Sequence, residues 1–334
     1  MFPLWSNPQH QRPLLKLLHS KVLHLKQYPS YPYLREGTHL PFQQKGEIFL
    51  IMNKTLLIAD SGSTKTDWLF IGSDGTKTEL HTKGINPARD SRDTIYNVVY
   101  HELLTSLPDS ANLQAIFFYG AGCIEPFDKS VRSVLEKLFP KCNIEVESDL
   151  LGAARALCGH EEGIACILGT GSNSCLYNGK DITLHTPPLG YILGDEGSGT
   201  HLGKALVNGI FKGLFPHEMK EAFCNKFNLT MSDIIEHVYR QPSANTFLAS
   251  LVPFIAEHRD HPVIHDLLIE AFRMFVNRNI AVYGHKEMPI NCVGGIAYQF
   301  KEELKEAIAK EGMKIGVILR RPIDSIVQYH LQKG

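Results

Sequence analysis

Apolar positions in this chain fall into two patterns, short unbroken runs and series spaced at three and four. Leu56–Ala59 runs without a polar break and reads as a buried strand, and Asp67–Ile71 reads as the strand that returns from it. The turn Gly72–Gly75 reverses the chain again into Lys77–Thr82, so three antiparallel strands follow one another. Past the loop Gly84–Pro87 the spacing predicts a helix over Arg92–Leu104, a strand over Ala115–Tyr119, a helix over Asp128–Leu138 and a strand over Ile144–Glu147. An Ala-rich helix opens at Asp149. Gly163–Leu168 is another buried strand, with Cys175–Tyr177 returning from it. Helical spacing dominates downstream, over Gly203–Leu214, His217–Phe227, Met231–Tyr239, Thr246–His258 and Val263–Tyr283. Ile290–Val293 and Ile315–Leu319 are the last strands, each followed by a helix, the first through about Ala309 and the second opening at Pro322.

Length and composition narrow the class. A chain of 334 residues exceeds what one core usually serves, so two domains are expected. Its 43% hydrophobic and 21% charged residues are those of an ordinary globular protein. A net charge of −1 supplies no basic field for nucleic acid or a membrane surface, and no apolar run reaches transmembrane length. The seven cysteines form no CxxC pair, which points to reduced thiols and a cytoplasmic setting. The sixteen histidines lack ligand spacing and no HExxH occurs, so no zinc site is read. Residues 1–51 carry six prolines and no clear period, and lack the apolar core of a secretory signal. They are expected to form an N-terminal extension with little fixed structure, although Leu14–Leu25 has the pattern of a short amphipathic helix.

The candidate chemistry lies at the strand ends. Asp60 closes the first apolar run and is followed by Ser61, Gly62, Ser63 and Thr64, small residues whose backbone N–H groups can form a nest for phosphate oxygens. Asp60 is placed to hold the water shell of Mg²⁺, an ion that takes one or two carboxylates together with phosphate oxygens. There is no GxxxxGK[ST] loop. A plain hairpin with a surface aspartate would use the same residues. The pattern recurs, however, at Gly169-Thr170-Gly171-Ser172-Asn173, roughly 110 residues downstream, and two such nests facing each other would clamp a polyphosphate. Asp149 stands where a strand gives way to a helix, a position that suits an N-cap and also the ligand chemistry of α/β folds. Asp195 and Glu196, set between glycines, can present carboxylates to a ligand or serve only as a connection. Gly294-Gly295 would let a flat ring lie against the backbone.

Taken in order, Asp60-x-Gly-x-Thr-Lys-Thr, Gly169-Thr-Gly-Ser-Asn173 and Gly190-Tyr-x-x-Gly-Asp195-Glu-Gly-Ser198 resemble the N-acetylglucosamine kinase group. That group lies within the BadF/BadG/BcrA/BcrD-type ATPases of the actin/hexokinase-like superfamily, and the resemblance covers about residues 54–330. It implies an α/β fold of two RNase-H-like domains with the active site in the cleft between them. The first would span 52–162 together with a C-terminal helix at about 322–334, and the second 163–321 with a helical insert. It further implies ATP and Mg²⁺ as cofactors, with Asp60 organising the metal. Gly62, Ser63, Thr64 and Lys65 would form the first phosphate loop, Thr170 and Gly171 the second, and Gly294 and Gly295 the nucleotide-side loop. Asn86, Asn173 and Asp195 would contact an amino sugar, and Asp149 would be the general base. The helix start Asp149-Leu150-Leu151-Gly152 is bulkier than the Asp-Ala-Ala-Gly form of the group, which bears on the identity of the sugar. Two other readings fit the same scaffold, an ATPase that activates a partner dehydratase and a non-catalytic sugar sensor. A homodimer is a common arrangement for enzymes of this size.

Overall fold

The structure is a computed structural model that describes residues 55–62, 64–108 and 112–332. The extension expected over 1–51 and the phosphate-loop candidate Ser63 lie outside the described residues.

Two five-stranded sheets organise the chain. In the first, β1 (Leu56–Ser61), β2 (Lys65–Ile71) and β3 (Lys77–Lys83) are antiparallel neighbours, and β4 (Ala115–Gly120) and β5 (Asn143–Ser148) add parallel strands on the other side of β1. The order is β3-β2-β1-β4-β5. The second repeats it. There β6 (Glu162–Leu168), β7 (Ser172–Asn178) and β8 (Ile182–Thr186) are antiparallel, with β9 (Ile290–Val293) and β10 (Ile315–Leu319) parallel, in the order β10-β9-β6-β7-β8. Each sheet is thus an antiparallel trio extended by two crossover strands.

Helices cover both faces of the first sheet, which explains the unbroken apolar character of β1. Leu57 and Ala59 pack beneath α1 (Arg92–Val98), its π-helical continuation Val99–Leu104, and α2 (Asp128–Leu138). Leu56 and Ile58 face the other way, against Ile323, Ile326 and Val327 of the last helix, Ile323–Leu331. The helix over Asp149–Cys158, α3, is shared by the two sheets. Its Leu150, Ala153, Ala154 and Leu157 join Ala165, Cys175, Tyr177 and Val293 of the second sheet in one buried cluster. Its Gly152 rests on Tyr119 of the first, where an added Cβ would lie 2.8 Å from ring atoms. That ring is held in place, because the Tyr119 hydroxyl is 2.6 Å from Arg155 Nη1 and 2.8 Å from His330 Nε2. Gly152→Val should therefore destabilise the protein by about 1–3 kcal/mol through overpacking. Calorimetry would record this as a fall in Tm, and an unchanged Tm would mean that α3 can stand further from β4.

Between the strands of the second sheet, α4 (Gly190–Leu193), α5 (Gly199–Phe211), α6 (His217–Phe227), α7 (Met231–Tyr239), α8 (Ala244–Ala249), α9 (Val252–Glu257) and α10 (Pro262–Phe275) precede β9, and α11 (Gly295–Gln299) and α12 (Lys301–Lys310) precede β10; α5, α6, α9, α10, α11 and α12 share one buried cluster with that sheet. The closing helix is α13. The single helix expected over Thr246–His258 is two, because Pro253 in the first turn of α9 starts a new helix rather than continuing the old one. The long helix expected over Val263–Tyr283 is α10 followed by π and 3₁₀ turns. Buried cysteines, such as Cys166 and Cys292, pack as small hydrophobes, and all seven are free thiols. Among the described residues, no helix is long and apolar enough to cross a membrane.

Candidate active site

The sequence candidates gather at the carboxyl ends of the parallel strands, in two groups. Register pairs Ser61 with Gly120 and Gly120 with Ser148, so β1, β4 and β5 end together, and Asp60 and Asp149 sit at that edge. Their placement follows from local chemistry. Ser148 has the extended conformation of an N-cap, and its side chain accepts a hydrogen bond from the Leu151 amide at 3.2 Å. Capping is therefore done by Ser148. Asp149 becomes the first helical residue, where negative charge is favoured by the helix dipole, and its Oδ1 accepts from the Leu150 amide at 2.9 Å.

Burial raises the Asp149 carboxyl from its ordinary value to about 6, against the stabilising pull of the Leu150 amide. Asp60 is pushed to about 7, first by burial, then by the negative charges of Asp149 and Asp67, with Lys65 and Arg321 acting in the opposite sense. Burial holds both carboxyls above the ordinary aspartate range, and the charge of Asp149 adds to that effect at Asp60. Such a crowded pair is suited to a divalent cation, which would relieve both burial and repulsion. Among the described residues no three His, Cys, Asp or Glu side chains form a metal-holding group. A Mg²⁺ ion that takes most of its ligands from phosphate and water needs only one or two carboxylates, so Asp60 fits that role.

The turn after β1 is tied down around this pair. Gly62 N donates to Lys65 O at 3.0 Å, and Gly84 N to Thr64 O at 3.1 Å. Lys65 Nζ lies 2.9 Å from Asp67, which is buried and also meets His81 Nδ1 at 2.8 Å. Ser61 Oγ contacts both the carbonyl and the amide of Ile85 at 3.0 Å, and this fixes Asn86 beside the Gly120–Gly122 turn. There Asn86 Oδ1 accepts from the Ala88 amide at 3.1 Å. A Cβ on Gly122 would lie 2.1 Å from the same oxygen. The approach requires glycine.

The second group sits at the ends of β6 and β9. Gly294, at φ 126, passes so close to β6 that an added Cβ would lie 2.2 Å from Leu168 O. Gly169 and Gly295, by contrast, face open space, so a ligand can reach the backbone at both turns. Thr170 O accepts from the amide and hydroxyl of Thr200, which anchors the turn to α5. The Asp195 carboxylate accepts from the Ser172 amide at 3.3 Å and stands against Gly171. Burial raises its pKa. Glu196 points elsewhere, to Arg278 at 2.9 Å and Asn279 at 3.3 Å. Of the two acids between the glycines, Asp195 faces the glycine turn and Glu196 is engaged in structure. Asn173 Oδ1 contacts the Ser174 amide and His185 Nε2. Strand alternation puts Asn173 on the same face of β7 as Cys175 and Tyr177, the face on which α3 packs.

The structure thus brings Asp60, Gly62, Thr64, Lys65, Asn86 and Asp149 to one edge, and Thr170, Gly171, Asn173, Asp195, Gly294 and Gly295 to the other. Shared helix α3 joins the two. Sequence reasoning missed Asp67 and Arg321. Asp67 pairs with Asp60 across the hairpin register, a relation that a two-residue strand period could have revealed. Arg321, which pairs with Glu79 at 3.0 Å and acts on Asp60 from the far end of the chain, has no local signal.

No family model matches the sequence. Among solved structures, a Porphyromonas gingivalis protein assigned as an N-acetylglucosamine kinase is 44% identical, with a TM-score of 0.81 over 83% of this chain and 99% of that one. A Chromobacterium violaceum protein with the same assignment shares the fold at 19% identity and a TM-score of 0.67, over 84% of this chain and 99% of that one. On the strength of the first match, the chain belongs to the N-acetylglucosamine kinase family of the actin/hexokinase-like sugar kinases, a family of phosphotransferases.

Proposed function

We propose that the protein transfers the γ-phosphoryl group of ATP to the 6-hydroxyl of an amino sugar, with N-acetylglucosamine as the preferred acceptor. The observation that carries this reading is Asp149, a carboxylate relieved of capping by Ser148 and set beside Asp60 at the strand ends. The sugar hydroxyl attacks the γ-phosphorus, its proton passes to Asp149, and the bond to ADP breaks. Asn86, Asn173 and Asp195 hold the sugar so that this hydroxyl faces the phosphorus. Gly62 lets the backbone come close to the phosphates, Thr64, Lys65, Thr170 and Gly171 steady them through backbone N–H groups and one ammonium, and Gly294 and Gly295 carry the nucleoside end. Magnesium held at Asp60 would supply charge neutralisation to the phosphates.

The dehydratase-activator alternative calls for thiolate ligands. Cys123 and Cys166 are single thiols, and no CxxC pair occurs in the sequence.

A coupled ADP-release screen over amino sugars, with and without Mg²⁺, tests the proposal. Turnover should be greatest with N-acetylglucosamine and be lost without the metal. ADP release that is indifferent to every sugar would overturn it. A base must be ionised to accept a proton, and Asp60 must be ionised to hold the metal, so kcat/KM should fall as pH drops through about 7 and more steeply below about 6, the values to which Asp60 and Asp149 are raised. A profile flat to pH 5 would remove Asp149 from the role.

A further inference from the structure

A cavity of about 470 Å³ lies away from the strand-end site, at the other end of α3. Arg155, which lines it, is six residues beyond Asp149, about 9 Å along the helix. The volume falls within the range of about 300–1,000 Å³ typical of small-molecule sites. Its walls come from both halves of the fold: Arg155 and His160 from α3 and the loop after it, Lys180 and Asp181 from the β7–β8 turn, and Tyr329 and Gln332 from α13 and its end.

The backbone of the β7–β8 turn and the inner wall are held in place. Asn178 Oδ1 accepts from the Lys180 and Asp181 amides at 3.0 and 2.8 Å, and Gly179 packs so tightly that a Cβ would lie 2.3 Å from His160 O. The His160 ring rests on Tyr329, centroids 4.4 Å apart. The Arg155 side chain is 9% exposed and held on one edge by Glu145 and Tyr119, with Tyr329 against its face at 5.1 Å. Its Nε is buried and carries no partner. An unsatisfied donor on a buried cation is uncommon, so such a group calls for an explanation.

We propose that this cavity is a second binding site, for a hydroxylated phosphate ester. Its phosphate is held between the Arg155 guanidinium and the exposed Lys180 ammonium, and its hydroxyls donate to Asp181 and meet Gln332. Asp181 disfavours a bare anion and favours one that carries donors. Because Lys180 belongs to the second sheet and Gln332 follows the helix that covers the first, an occupant ties the two halves together behind the strand-end site.

Calorimetric titration of the full chain with glucose 6-phosphate and, separately, with inorganic phosphate and citrate tests the assignment. Each titration is repeated on Lys180→Glu and on Asp149→Asn, with a melting curve for each variant to show that it folds. The expected result is glucose 6-phosphate binding weakened at least tenfold by Lys180→Glu and unchanged by Asp149→Asn, with inorganic phosphate weaker. Citrate binding more tightly than the ester would overturn the phosphate class. No binding, or binding indifferent to Lys180→Glu, would overturn the site. None of these readouts depends on kinase activity, so failure here and failure of the kinase reading are separable.

Discussion

Asp149→Asn should lower kcat by about 10²–10⁴ while leaving Mg-ATP binding intact, the loss expected when a positioned general base is removed. The same change should raise stability. Asp149 has a folded-state pKa raised from 3.8 to about 6. Its contribution to stability is therefore fully present below pH 3.8 and is lost as pH rises through 6. At pH 8 the wild-type protein carries the whole penalty of a buried charge beside Asp60, and the asparagine variant does not. The gain in Tm should be largest at pH 8 and shrink as the pH falls through 6 towards 4. Steady-state kinetics, nucleotide titration and melting curves at two pH values measure all three effects. Near-normal turnover would refute the base assignment, and lost activity with a lower Tm at pH 8 would make Asp149 a structural residue.

Gly294→Ala should unfold the nucleotide side of the site. A methyl group there meets Leu168 O at 2.2 Å, at a φ of 126 that L residues rarely adopt. Backbone strain of this kind costs about 1–3 kcal/mol before the clash is counted. Relief requires moving Leu168–Gly169, the start of the second glycine turn, so Tm should fall and ATP affinity drop at least tenfold. Gly295→Ala provides the contrast. Its Cβ would enter open space, so Tm should hold, and affinity should drop only where the nucleotide lies against that backbone. Melting curves with nucleotide titration on the two variants separate a fold requirement from a ligand contact. Equal Tm in both variants would mean that the β9–α11 turn yields more easily than its contacts imply.

Much of this arrangement was legible in the chain. Leu56–Ala59 and Gly163–Leu168 are buried on both faces, so they appear as unbroken apolar runs, and the glycine turns after them mark the strand ends. That was enough to place Asp60, Asp149 and the duplicated turns. Other features depend on distant partners and leave little local trace. β8, an edge strand with exposed Thr183, Leu184 and His185, lacks a buried run and was not expected. The transfer of the capping role from Asp149 to Ser148 shifts the helix start by one residue, finer than apolar spacing resolves. The one-turn helix α4 follows Leu189 at φ 60, an uncommon conformation for leucine.

The way α13 closes the first sheet constrains how the molecule is made. Leu56, Ile58, Leu69 and Ile71 emerge early in synthesis, but the residues that cover them, Ile323, Ile326 and Val327, emerge some 250 residues later. At about 5–20 residues per second, the first sheet waits on the order of 10–50 s with one oily face open to water or to a chaperone. The second sheet, whose helices lie between its own strands, has less of its cover to wait for. The half that is translated first is the half that finishes last.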